Sequence, residues 1–377
     1  MKKILAISAM IASLVALAGP KEDINKANDL FKKGKNEEAI KILKESKNAK
    51  GENVEYEYIN YFLATSGSKS EEEAVMYLKK ACEDKTSKSQ YAINANILLA
   101  DHAKTLKEKI EYLEMLDARV GDQIEVMVNL AFDYKSTNET EKLATLNKRV
   151  EAKGEDFKNA FEITLGKLYL KKGNETEAML HLNKTLNSKV PVIASETNLI
   201  LAEYNLLEKK DAKKANSYFE KAIKINPKED MLYARIGVIY TNVNELAKAK
   251  KYFLKAYELN KQIEPNVKNL FTLAILSKDA KDEAKYANII KAKQGYYGVA
   301  QYLLTINDLN DAEKYAKMAI AGKEKGAELI MAITLGKMGK LDSALKVAKE
   351  ASNKKIEGAD KLVQEIEMLI KESAKTK

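Results

Sequence analysis

The sequence predicts an all-α protein built as an α-solenoid of stacked antiparallel helix pairs. Three observations carry that prediction. First, one pattern is written twice at an interval of 34 residues: Ala215, Phe219 and Ala222 recur as Ala249, Phe253 and Ala256. Second, the 377 residues include only 4 prolines and no tryptophan, and alternating β-branched runs are scarce, so helical periodicity dominates. Third, the same kind of turn returns along the chain. KKGKNEEA carries Gly34, KKGNETEA carries Gly173 and KMGKLDSA carries Gly339. In each, glycine supplies the left-handed stop of one helix and the residues after it open the next.

A unit of this kind cannot bury its apolar face alone, so several must stack. The small residues that mark successive units are Ala39, Ala74, Ala178, Ala215, Ala249, Ala284, Ala312 and Ala344. They place unit starts near Pro20, Glu55, Tyr91, Ile124, Asn159, Glu196, Asp230, Pro265, Gln294 and Lys325. NETE occurs twice, at Asn138 and Asn174, at the same place in adjacent units, while the units near Tyr91, Ile124 and Gln294 are degenerate. Upstream of the second copy of the motif stand Tyr233, Ile236, Gly237 and Tyr240. With Ala215, Phe219, Ala222 and Pro227, these residues resemble the tetratricopeptide repeat, or TPR, of an exported bacterial type. The resemblance implies a TPR superhelix of about ten repeats closed by a C-terminal capping helix. It also implies that Gly237 and Ala249 face each other where two helices cross closely.

The chain then divides in order. Lys2 and Lys3 precede an apolar run from Ile4 to Ala18 that ends in Ala16, Leu17 and Ala18, so residues 1–18 read as a secretory signal peptide. That run is shorter than the ~20 apolar residues of a spanning helix. Residues 19–358 read as the repeat array. Cys82 is the single cysteine and reads as a buried, inert thiol, with no internal disulfide open to it. Residues 359–377 read as a capping helix and tail, with Leu362, Val363, Ile366, Leu369 and Ile370 on one face.

Little in the chain points to chemistry. Its two histidines, His102 and His181, have no second metal-type residue at ligand spacing, and no acid–base pair can be nominated among the 55 carboxylates. No catalytic residue, cofactor or metal site is therefore expected, and the protein reads as a non-enzyme. The formal net charge is +9, yet all but three of the 64 basic residues are lysines dispersed among glutamates. Nucleic-acid readers lean on arginine forks and stacking aromatics, so no nucleic-acid partner is expected. The lysine excess gives only a weak contact with anionic envelope surfaces.

The resemblance also says where a partner would sit, because the family lines its concave groove with fixed positions of each first helix. In this chain those positions nominate Lys167, Lys171, Thr197, Tyr204, Met231, Val238, Thr241 and Asn242. Such a mixture suits a protein or peptide segment. The family's clamp for a C-terminal carboxylate is not matched, since Ile163/Lys167, Ile200/Tyr204 and Ala234/Val238 stand where Lys and Asn are wanted. The expected function is a non-catalytic exported scaffold, located in the periplasm or cell envelope, that holds protein segments in the groove. The alternative is a cell-envelope ligand carrier or enzyme accessory acting on glycan or lipid.

Overall fold

The computed structural model describes residues 22–46, 54–261 and 264–375. The leader expected over residues 1–18 lies outside them. The described residues form 20 helices stacked in antiparallel pairs, an all-α solenoid. They divide between two compact units, one ending at Ser188 and the other beginning at Lys189.

The first unit holds five pairs. Helix α1 (Glu22–Lys32) lies on α2 (Asn36–Glu45), and α3 (Val54–Phe62) lies on α4 (Glu71–Ala81). Then come α5 (Gln90–Asp101) with α6 (Leu106–Val120), α7 (Ile124–Ser136) with α8 (Thr140–Ala152), and α9 (Glu155–Lys171) with α10 (Glu175–Leu186). Between α3 and α4 the chain makes a π-helical turn, Leu63–Gly67.

The second unit opens with α11 (Pro191–Leu207) on α12 (Ala212–Ile225) and α13 (Asp230–Asn242) on α14 (Leu246–Leu259). Helix α15 (Glu264–Leu276) packs on the first part of α16 (Ala280–Thr305). The second part of α16 pairs with α17 (Leu309–Ala321) and α18 (Ala327–Lys337) with α19 (Leu341–Asn353). Helix α20 (Ala359–Lys375) closes the series against α19.

The helix boundaries follow from local chemistry. Ser70, Ser89, Thr105, Asn174, Asp211 and Asp308 each accept a backbone N–H from three residues ahead, filling donors that a helix start leaves open. The turn inside most pairs holds one left-handed residue. Gly34, Gly173 and Gly339 supply it where glycine is present, and Asn138, Lys210, Asn244, Lys278 and Asn307 supply it elsewhere. The two NETE segments are therefore one residue out of step. Asn138 takes the left-handed position (φ 59°) that Gly173 fills in the next pair, whereas Asn174 is the N-cap of α10. Asparagine tolerates that conformation better than most side chains, which is why the same four letters serve two roles.

Packing at the crossings explains the repeat spacing. Ala215, Ala249 and Ala344 are completely buried, as are Ala222 and Ala256. Gly237 packs beneath Phe253: a Cβ added at Gly237 would come within 2.5 Å of the Phe253 ring. A Cβ at Gly166 would likewise meet Leu182 at 2.6 Å and the Ala178 carbonyl at 3.4 Å. The small residue thus makes room for a large side chain of the opposing helix as well as for its backbone.

The degenerate unit near Gln294 has a physical account. Helix α16 is broken at Gly295 (φ 70°, ψ −178°), and the backbone N–H groups of Tyr296 and Tyr297 donate to the Glu324 carboxylate at 3.0 and 2.7 Å. A side chain 28 residues away caps the new helix start. At the end of the chain, Ile366 of α20 is buried, with Leu362 and Val363 partly so. Leu369, expected on that covering face, is 50% exposed.

Candidate partner-binding surface

Helix α13 presents the clearest surface. Leu232, Tyr233, Ile236, Ile239 and Tyr240 are buried on one side of it. On the other, Met231 is 63% exposed and Val238 43%, two helical turns apart, and Asn242 follows one turn later. Between Met231 and Val238 sits Arg235, whose guanidinium donates to Glu196 of α11 and ties the two first helices together. Thr241 is half-buried and donates its hydroxyl to the Gly237 carbonyl at 2.9 Å.

The support beneath this stripe is aromatic. Tyr240 stacks on Tyr252 with ring centroids 5.5 Å apart and donates its hydroxyl to Asn216 at 2.5 Å. Burial, with the neighbouring Tyr252 and Glu245, pushes the Tyr240 phenol up to about 12. It stays neutral, so the helix holds its angle without a buried charge.

The other nominated residues divide. Tyr204 of α11 is half-buried, with the Lys209 ammonium 5.5 Å from its ring centre, and it is equivalent in register to Val238. Thr197, equivalent in register to Met231, is completely buried and donates its hydroxyl to the Ile193 carbonyl at 3.0 Å. It faces the packed interior and offers nothing to a partner, because α11 is covered on nearly all sides. Lys167 and Lys171 are exposed one turn apart on α9, in the first unit. One apolar position was missed: Leu276, at the end of α15 and 52% exposed, is equivalent to Asn242. The same register rule extended by one unit would have found it.

The groups that could have carried other chemistry are occupied in packing. Arg119 is buried, donating Nε to Asn96 at 2.6 Å and its two terminal nitrogens to the Ser87 and Cys82 carbonyls at 2.5 and 2.6 Å. Arg149 grips Asp117 and Asp122 at 2.6 and 2.9 Å. His181 lies against Glu162 at 2.6 Å and stacks on Tyr169. Burial opposes ionisation of Glu162, but hydrogen bonds from His181 and Lys184 outweigh it and hold the carboxyl below its ordinary range. Burial pushes the Cys82 thiol up to about 11, which keeps it from acting as a thiolate. Among the described residues no group of three or more His, Cys, Asp and Glu is placed to hold a metal ion.

The family model described as tetratricopeptide repeat matches residues 197–229 and 232–263, the α11–α12 and α13–α14 pairs. Those two helix pairs are similar to tetratricopeptide repeats. A tetratricopeptide repeat protein from Parabacteroides merdae is similar to it at 15% identity over 65% of this chain and 99% of that one, with a TM-score of 0.34. The APC/C hetero-tetramer Cut9-Hcn1 is similar at 12% identity over 91% and 75%, with a TM-score of 0.32. Human IFIT1, solved as a dimer with m7Gppp-AAAA, is similar at 15% identity over 93% and 94%, with a TM-score of 0.34. Likenesses this distant carry nothing about what this chain binds. No curated protein matches it.

Proposed function

We propose that this protein is an exported, non-catalytic scaffold that holds a protein segment on the first-helix face of its second unit. The observation that carries the reading is the stripe on α13. Met231 and Val238 are exposed two turns apart on a helix whose other side is packed, inside repeats of a kind that usually bind protein segments. Anchors at that spacing match an apolar helix face or alternate residues of an extended peptide. Asn242 supplies amide hydrogen bonds at one end of the stripe, and the Arg235–Glu196 pair fixes the distance between neighbouring helices. The export half of the reading rests on Lys2, Lys3, the apolar run and the Ala16-Leu17-Ala18 site.

One preparation tests both halves. Native protein should be recovered outside the cytoplasm with an intact mass that starts at Gly19; a soluble cytoplasmic pool retaining Met1 would overturn export. Partners captured by that material should bind the Met231→Ala, Val238→Ala double variant more weakly by about 1–4 kcal/mol, as truncation of interface anchors does. Both residues are exposed, so the variant keeps its fold. Equal affinity for the double variant would move the binding face elsewhere.

A further inference from the structure

At α3–α4 of the first unit the marker alanine is not sealed and a cavity lies beside it, while the expected marker Ala284 of α16 is exposed. In closed pairs the marker alanine is completely buried, as at Ala39, Ala178, Ala215 and Ala249. Ala74 holds the same repeat position on α4 but is only half-buried. By sequence spacing Phe62 stands where Gly237 does in the later pair, but its ring packs 4.5 Å from that of Phe31 in the preceding pair, and Ala64 lines the cavity with Ala74. The chain then widens into the π-helical turn Leu63–Gly67, a distortion that concentrates at functional sites. Between that turn, the start of α4 and the end of α5 stands a cavity of about 430 Å³. That volume is within the range of small-molecule sites.

The cavity wall is a set of methyl and methylene groups from Ala64, Ala74, Val75, Leu78 and Leu98. A rigid ring fills such a space without the rotamer entropy that an alkyl chain would lose. The polar rim narrows the class further. The Thr65 hydroxyl donates to the Tyr61 carbonyl at 3.1 Å and the Ser68 hydroxyl to the Leu63 carbonyl at 2.8 Å, so both oxygens are left as acceptors. Glu71 adds a carboxylate at the rim, with His102 Nδ1 3.9 Å from it. An anionic ligand would be opposed by Glu71. Glu72 and Glu73 follow it in the first turn of α4 and add to that repulsion. An uncharged molecule with a hydrogen to donate avoids this cost and meets the rim acceptors.

We propose that this cavity binds an uncharged aromatic molecule bearing a single N–H or O–H donor, of the indole or phenol class. The ring lies against Ala74, Val75 and Leu98, and the donor is directed to the oxygens of the rim. The site belongs wholly to the first unit and is independent of the α13 stripe, so either can fail without the other.

The test is a titration of the full chain with indole, followed by calorimetry and by methyl resonances, with benzoate as an anionic analogue. Saturable indole binding is expected, with shifts confined to the methyls of Val75, Leu78, Leu98 and the neighbouring alanines. Benzoate should bind at least about tenfold more weakly, a difference of ~1.4 kcal/mol. Ala74→Phe fills the cavity and should lose at least about tenfold in indole affinity while keeping its helical circular dichroism. Val75→Phe serves as a second filler should the first variant misfold. Absence of saturable binding to the parent chain would overturn the proposal. So would equal affinity for benzoate, or undiminished affinity in a folded filled variant.

Discussion

Two helix pairs built to the same repeat plan end up packed in opposite ways. At α13–α14, Gly237 leaves room for the Phe253 ring, and Ala249 is sealed from solvent. At α3–α4 the Phe62 ring lies against Phe31, the chain takes a π-helical turn over Leu63–Gly67, and Ala74 is left lining open space. One joint is closed and the other borders a cavity. A closed crossing has no slack, because interiors pack at crystal-like density.

The largest effect should come from overfilling the closed joint. Ala249→Leu adds three carbons where no space exists and should destabilise the protein by about 1–3 kcal/mol in denaturant unfolding. A midpoint equal to that of the parent would mean that the α13–α14 joint is not closed in solution.

A second closed pair, α9–α10, is held by charge as well as by packing, through Glu162 with His181 and Lys184. Glu162→Gln should cost about 1–2 kcal/mol at neutral pH, since it removes the carboxylate to which His181 and Lys184 are hydrogen-bonded. The sign with pH follows from the lowered ionisation range of Glu162. Its contribution is present above the ordinary carboxylate value and is lost as pH falls through the lower, folded one. The parent and the variant should therefore converge in stability under acid. Parallel pH profiles would show that the cluster contributes nothing.

The smallest effect has the opposite sign. Ala74→Leu enters existing space and should stabilise by about 0.5–1 kcal/mol, as cavity-filling changes do. A loss as large as that of Ala249→Leu would erase the distinction between the two pairs.

The same contrast shows what could be read from residues alone. Small residues at the marker positions, capping side chains and left-handed turn residues act within one unit or between neighbours, so they repeat with the period and are legible. That is why the α11–α14 register, the degenerate unit near Gln294 and the closing helix could be anticipated. The binding face was legible only in part. Met231 and Thr197 share a register position, yet one is exposed and the other completely buried. The difference arises from what covers each helix, which no periodic pattern records.

What the sequence alone determined, then, is the repeat: its 34-residue interval, the helix pairs it generates and the kind of residue needed at each crossing. Tertiary structure decided everything that depends on a contact outside the period. Glu324 caps a helix start 28 residues away at Tyr296, and Arg119 reaches carbonyls as far as 37 residues back. Phe62 packs on Phe31 of the preceding pair, and Ala74 lines a cavity with Ala64 and Leu98. The physical reason is that helix formation and nearest-neighbour stacking are short-range and recur with the sequence. The direction of one ring, or the burial of one threonine, is settled by the particular side chains that surround it.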